Sequence, residues 1–91
     1  MKKWLKIIKA LGDAGEPVKL GYIKKITKST YNVALIYLKK LEKEGFIEKK
    51  KIKKDGGARY KYELSLKGRI FYHHLHVFLV KIKEYATEDD L

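Results

Sequence analysis

Residues 29–46, STYNVALIYLKKLEKEGF, decide the fold. The stretch opens on two hydroxyl residues, Ser29 and Thr30, either of which can accept a hydrogen bond from the free N–H groups of a first helical turn. Ala34, Leu38 and Leu41 follow at i, i+4 and i+7, one apolar stripe of a helix that Leu35 widens. Gly45 stands where a helix end favours a residue tolerant of positive φ, so the helix is expected to stop there. The other face carries Asn32, Val33, Ile36, Tyr37 and Lys40. An ordinary solvated helix face is charged. This one offers groups able to meet base edges, methyl groups and phosphates.

Upstream, residues 3–11 place Trp4, Leu5, Ile8 and Leu11 at helical spacing, with Lys2, Lys3, Lys6 and Lys9 on the opposite side. Gly12 is expected to end this helix, and Asp13-Ala14-Gly15-Glu16-Pro17 to form a turn. Val18 can begin a very short strand. Residues 20–26 form a second, short helix with Leu20, Ile23 and Ile26 facing inward. Thr27-Lys28 joins it directly to the 29–46 helix, and two helices joined by so short a turn must cross steeply, as in a helix-turn-helix.

Downstream the period changes. Residues 46–54 read as a strand and 60–66 as its partner, with Tyr60, Tyr62, Leu64 and Leu66 alternating against Lys61, Glu63 and Ser65. Asp55-Gly56-Gly57-Ala58-Arg59 is the expected hairpin turn, because Asp-Gly and Gly-Gly reach positive φ at little cost. The first strand sets Lys49, Lys50, Lys51, Lys53 and Lys54 around a single Ile52, so the hairpin should project as a flap with only its base, Phe46 and Ile47, packed on the helices. Ser65 can cap a last helix running to about residue 86. Along it Phe71, Leu75, Phe78, Ile82 and Tyr85 recur at spacings of four, three, four and three, a heptad seam. Ile70, Val77 and Leu79 broaden it. A three-helix core cannot cover a helix about 30 Å long. A second copy of the chain is therefore expected on this seam, a twofold dimer; folding back over its own domain is the alternative.

Composition narrows the partner. The chain has 91 residues, one domain near the lower size for a self-sufficient core. Its formal charge is +11, and four of its 11 acidic residues, Glu84, Glu88, Asp89 and Asp90, lie in the last eight positions. Residues 1–83 thus carry 22 basic against 7 acidic groups, +15. Such a field attracts polyanions and argues for nucleic acid or an anionic surface, against the plainer reading of a lysine-rich soluble protein. Cysteine is absent, which excludes disulfides and thiolate metal sites. No apolar run approaches a membrane span, and the amino terminus does not read as a signal peptide, so a cytoplasmic protein is expected. Gln is absent and Asn occurs once, a bias shared with high-temperature proteomes.

Helix, short helix, helix, charged hairpin, helix is the order of a winged-helix domain. Tyr37-Leu38-Lys39-Lys40-Leu41-Glu42-Lys43-Glu44-Gly45-Phe46-Ile47 resembles the end of the recognition helix in the MarR, ArsR and PadR-like regulators. Leu64-Ser65-Leu66-Lys67-Gly68-Arg69 is similar to the segment that leaves the wing in MarR-like proteins. The small size resembles the compact winged-helix regulators of archaea and their viruses, and for a viral protein the compartment becomes the host cytoplasm. The resemblance covers roughly residues 3–70. It implies a mainly α fold with a small β-hairpin: residues 1–68 as a winged helix-turn-helix, 69–86 as a dimerisation helix of the same domain, and 87–91 as an acidic tail. It also implies a dimeric, sequence-specific binder of double-stranded DNA, a transcription regulator with its recognition helix in the major groove and its wing on the backbone or minor groove. Non-specific binding of DNA or RNA, or protein–protein assembly, are the alternatives.

Transferred by position, Ser29, Thr30, Asn32, Val33, Ile36, Tyr37 and Lys40 become the groove-facing set. The central face lacks Arg, so the commonest bidentate guanine contact is unavailable. Asn32 can give a donor and an acceptor to adenine, with Val33 or Ile36 against a thymine methyl; otherwise it caps its own backbone. Ser29 or Thr30 can hold a phosphate at the helix start. Tyr37 is either a phosphate ligand or a partly packed aromatic. Lys49, Lys50, Lys51, Lys53, Lys54 and Lys61 neutralise phosphates without reading sequence, and Lys24, Lys25 and Lys28 touch backbone near the positioning helix. Arg59, the only arginine among residues 1–68, suits a narrow minor groove or a solvated wing tip. His73, His74 and His76 offer only the 73/76 pair at ligand spacing, so no metal and no cofactor is expected. No small-molecule ligand is expected, because the long sensor regions of larger relatives are missing. Catalysis lacks its usual constellations, with no carboxylate pair in a cleft, no nucleophile elbow and no phosphate-binding glycine loop.

Overall fold

A computed structural model describes residues 2–54 and 57–89, with side chains for 2–52 and 59–84. The chain runs α1 (Lys3–Ala14), β1 (Val18–Lys19), α2 (Leu20–Thr27), α3 (Tyr31–Lys43), β2 (Ile47–Lys54), β3 (Gly57–Leu64) and α4 (Leu66–Asp89). The three strands form one antiparallel sheet in the order β1-β3-β2. β2 and β3 pair from Ile47 opposite Leu64 out to Lys54 opposite Gly57, and β1 adds Val18 opposite Tyr62. This is the mainly α architecture with a small hairpin expected from the sequence, a winged helix-turn-helix with a long last helix.

The core sits where the three helices meet the base of the sheet. Ile7, Ile8, Ile23, Leu38 and Ile47 are fully buried, and Leu11, Ala34, Leu41, Tyr62 and Leu64 join them. Each large aliphatic chain removed from water in this way contributes roughly 1.5–3 kcal/mol. Two of these burials refine the expected pattern. Ile7 turns inward beside Ile8, a position the spacing of Trp4, Leu5, Ile8 and Leu11 did not single out. The hairpin base also buries Tyr62 and Leu64 of β3, besides Ile47 and the half-buried Phe46.

Three local expectations are corrected. Gly12 does not end the first helix. α1 continues to Ala14, and Gly15, with φ of 67°, makes the left-handed exit. Gly12 lies instead where a Cβ would come within 2.4 Å of the Tyr72 ring, so it lets α4 cross α1 closely. Gly57, Ala58 and Arg59 belong to β3 and not to the turn. The other two residues of the expected turn, Asp55 and Gly56, lie outside the described residues. Finally, the last helix begins at Leu66 and runs to Asp89, beyond the expected end.

One residue ties three elements together. The N–H of Ser65 donates to the Phe46 carbonyl at 3.0 Å, and its hydroxyl donates to the Gly45 carbonyl. The same oxygen accepts the N–H of Gly68 at 3.0 Å, the expected cap of α4. Gly68 packs so closely here that a Cβ would lie 2.0 Å from the Phe46 oxygen.

α1 and α4 are also joined on their outer side. The Tyr72 hydroxyl donates to Asp13 Oδ1, and the Lys9 ammonium lies 2.6 Å from Asp13 Oδ2. The Lys9 and Tyr72 hydrogen bonds hold the Asp13 carboxyl below its usual 3.8. Because the folded value is the lower one, the stabilisation is complete above the unfolded value and is lost as pH falls through the folded one. Wild type should therefore lose thermal stability below about pH 4 relative to Asp13→Asn, by under about 1 kcal/mol because the pair is solvent-screened. Parallel thermal melts at pH 7 and pH 3 measure the difference. A gap between the proteins that does not narrow on acidification would contradict it.

Candidate nucleic-acid interface

α3 is built by its ends and one stripe. Thr30 is the N-cap, its hydroxyl accepting the Val33 N–H at 3.3 Å. Ser29 instead donates to the Thr27 carbonyl at 3.3 Å, closing the turn from α2. Lys28 makes that turn tight: its backbone is left-handed, φ 51°, and its N–H donates back to Lys25. At the other end the Gly45 N–H donates to Glu42 and the Phe46 N–H to Leu41, the paired bonds that follow from Gly45 at φ 81°. Ala34, Leu38 and Leu41 are buried, which turns the opposite side outward.

That outer side carries Thr30, Asn32, Ile36 and Lys40, all exposed, with Ile36 at 53%. Val33 and Ser29 are half-buried. Among the described residues no side-chain hydrogen bond turns Asn32 back onto the backbone, since Thr30 already fills the capping role. Tyr37 is half-buried, its side chain packed against the core cluster. Of the cations near α2, Lys25 and Lys28 are exposed and Lys24 is half-buried.

The wing presents a second charged surface with an internal order. Lys49, Lys50 and Lys51 are exposed on β2, as is Arg59 on β3, while Lys61 is half-buried. The side chains of Lys53 and Lys54 lie outside the described residues. Lys50 is not a free cation: its ammonium lies 2.6 Å from Glu63 across the strands, and that hydrogen bond holds its pKa above the usual value. The Lys49 ammonium lies 4.5 Å from the centre of the Tyr60 ring. A phosphate approaching Lys50 therefore competes with a carboxylate, and one approaching Lys49 does not.

Lys67 was not singled out by its sequence position. Its ammonium donates to the Glu44 carbonyl at 2.7 Å and lies 4.6 Å over the Phe46 ring. A cation on the last carbonyls of α3 is favourable, but the whole wing separates the two residues in sequence, so no local spacing announces it.

Along α4 the expected seam divides. Phe71 packs within its own chain, 5.4 Å from Phe46 and 6.0 Å from Trp4 between ring centres. Leu75 and Leu79 are half-buried. Phe78 and Ile82 are 60% and 48% exposed, and Ile70, Val77 and Val80 are exposed with them. The Tyr85 side chain lies outside the described residues. His73, His74 and His76 are exposed. Among the described residues no group of three or more His, Cys, Asp or Glu is placed to hold a metal ion, and no helix is long and apolar enough to cross a membrane.

A helix-turn-helix whose second helix stands proud beside a basic hairpin defines the class: this chain has the winged helix-turn-helix fold. Solved structures with this fold resemble it closely. A MarR-family transcriptional regulator from Enterococcus faecalis superposes with a TM-score of 0.83 at 18% identity, covering 94% of this chain and 76% of that one. FabT of Streptococcus pneumoniae, solved in complex with DNA, gives 0.78 at 24% identity over all of this chain, which spans 61% of FabT. Stf76 from the Sulfolobus islandicus plasmid-virus pSSVx gives 0.62 at 22% identity, covering 70% of this chain and 82% of Stf76. No protein-family model and no curated protein sequence matches the chain.

Proposed function

We propose that the protein is a homodimeric, sequence-specific binder of double-stranded DNA that acts as a transcription regulator in the cytoplasm, without catalytic activity. The observation that carries this reading is the outer face of α3. Asn32, Ile36 and Lys40 stand exposed together, Asn32 is released from capping by Thr30, and the basic hairpin flanks them. An α-helix of this kind fits a major groove, where Asn32 can pair with adenine N6 and N7 and Ile36 can meet a thymine methyl. Ser29 and Thr30 at the helix start, Lys40 along it, and Lys24, Lys25 and Lys28 before it then fix the register on phosphates, while Val33 is the alternative to Ile36 against a thymine methyl. Lys49, Lys51, Arg59 and Lys61 follow the backbone beside the groove. FabT, which shares the fold, was solved in complex with DNA, and this supports the same use here.

The dimer reading rests on Phe78, Ile82 and the apolar residues around them. This outer half of α4 exposes large side chains that nothing in the chain covers among the described residues. Residues 1–68 are then the DNA-binding part, 69–86 the dimerisation helix and 87–91 an acidic tail. Two copies related by a twofold axis call for a pseudo-palindromic site with half-sites about one helical turn apart.

Binding selection on random duplexes tests the reading directly and should yield such a site. Asn32→Ala should then weaken binding to the selected site by roughly 5- to 150-fold, corresponding to about 1–3 kcal/mol for one bidentate base contact. Affinity for bulk DNA should change by less than twofold. Equal losses on both targets would remove Asn32 from base reading, and a selection that enriches nothing would overturn sequence specificity.

A further inference from the structure

Between the start of α3 and the wing lies a cleft of about 560 Å³, within the size range of small-ligand sites. It exists because β1 is so short. β1 pairs with β3 only at Val18 and Lys19, opposite Tyr62 and Lys61, and the chain then turns into α2. The edge of β3 beyond Lys61 is left open there, and Tyr31 from α3 faces the gap.

Three tyrosines line this cleft. Tyr62 is buried at its base, and Tyr60 and Tyr31 are 40% and 55% exposed. Lys19, Arg59 and Lys61 add three cations, Leu20, Gly21 and Ile52 make up the rest, and no carboxylate is among the described lining residues. Aromatic rings set among cations suit an aromatic ligand that carries negative charge. A paired duplex does not present one. Its base faces are covered by their neighbours in the stack, and proteins meet base edges, methyl groups, sugars and phosphates. An unpaired base exposes its faces, and stacking on tyrosine or another aromatic residue is how single strands are held.

We propose that this cleft binds an unpaired nucleotide of a DNA strand, its base stacked on the exposed tyrosine rings and its phosphates held by Arg59 and Lys61. This goes beyond the duplex-reading function and does not rest on it, because a single strand engages the cleft whether or not α3 reads a groove.

Fluorescence polarisation with the full chain tests the assignment on two labelled single strands of equal length and charge. One is a thymidine 12-mer and the other a 12-mer of abasic residues. The thymidine strand should bind roughly 5- to 150-fold more tightly, the effect of stacking about one base. Tyr60→Ala should abolish most of that preference and Tyr60→Phe should keep it, while affinity for a 12-base-pair duplex changes less than twofold in either variant. Equal affinity for the thymidine and abasic strands would overturn the proposal. So would a preference that survives Tyr60→Ala. Free thymidine monophosphate displacing the strand at matching concentrations would assign the cleft to a free nucleotide and overturn the strand assignment.

Discussion

Gly68→Ala is expected to destabilise the protein by about 3 kcal/mol, a fall in Tm of roughly 12–24 °C for a domain of this size. Helix propensity alone predicts the opposite sign, because alanine is favoured over glycine inside a helix by about 1 kcal/mol. Geometry decides the contest. The added Cβ would sit 2.0 Å from the Phe46 carbonyl oxygen and 3.2 Å from a Leu64 methyl. The oxygen is backbone and cannot swing aside as the tip of a long side chain would. It also accepts the Ser65 N–H at 3.0 Å, so moving it breaks the bond that fixes the start of α4. Gly21→Ala supplies the control. That helical position has nothing within 4 Å of an added Cβ, and there propensity should prevail, raising stability by up to about 1 kcal/mol. Thermal or urea unfolding at fixed protein concentration separates the two cases. A Gly68→Ala protein as stable as its parent would show that α4 can shift away from Phe46 freely.

Replacing Lys49, Lys50 and Lys51 together with glutamine should produce the largest change in DNA binding. Each lysine that neutralises a phosphate adds about 0.9 to the steepness of log affinity against log salt. Three such contacts make the slope shallower by about 2.7 on removal, and two by about 1.8 if Lys50 keeps its Glu63 partner. At 0.1 M salt these slopes correspond to losses of roughly 60- to 500-fold. The loss should be the same on a selected site and on bulk DNA, because phosphates carry no sequence. Glutamine can still donate to Glu63, so the wing should remain folded. The value found between those two slopes reports whether the Lys50–Glu63 pair, 2.6 Å apart, opens on binding. An unchanged slope would place the wing away from the phosphates.

These effects also mark which parts of the molecule are legible in its sequence. The ends of α3 were, because Thr30, Gly45 and their bonding partners lie within four or five residues of one another. The Ser65 cap was legible for the same reason. Gly12 was not. Locally it reads as a helix stop, and only the Tyr72 ring, sixty residues on, explains a glycine inside α1. Phe71 shows a different limit. A heptad pattern states that a side chain is covered but not which chain covers it, and Phe71 is covered by Trp4 and Phe46 of its own. Charge on the wing was obvious, yet the pairing of Lys50 with Glu63 depends on a strand register that the sequence leaves open. The cleft beside Tyr31 escaped notice because its lining comes from five elements.

The Ser65 joint has a mechanical consequence. α4 extends for 24 residues, about 36 Å at 1.5 Å per residue, in a molecule whose longest dimension is 57 Å against 27 and 21 Å for the others. A tilt of about 10° at the joint displaces the far end of such a rod by roughly 6 Å, more than one helical pitch. The hydroxyl that caps α4 also holds the carbonyl of Gly45, just beyond the end of α3. An angular change at that hinge is therefore shared with the end of α3. In a pair of chains joined at the far ends of their rods, as proposed above, the distance between the two α3 helices is fixed by two such hinges. Tolerance for altered half-site spacing should then be narrow, with the stiffness of one serine's bonds setting the gauge.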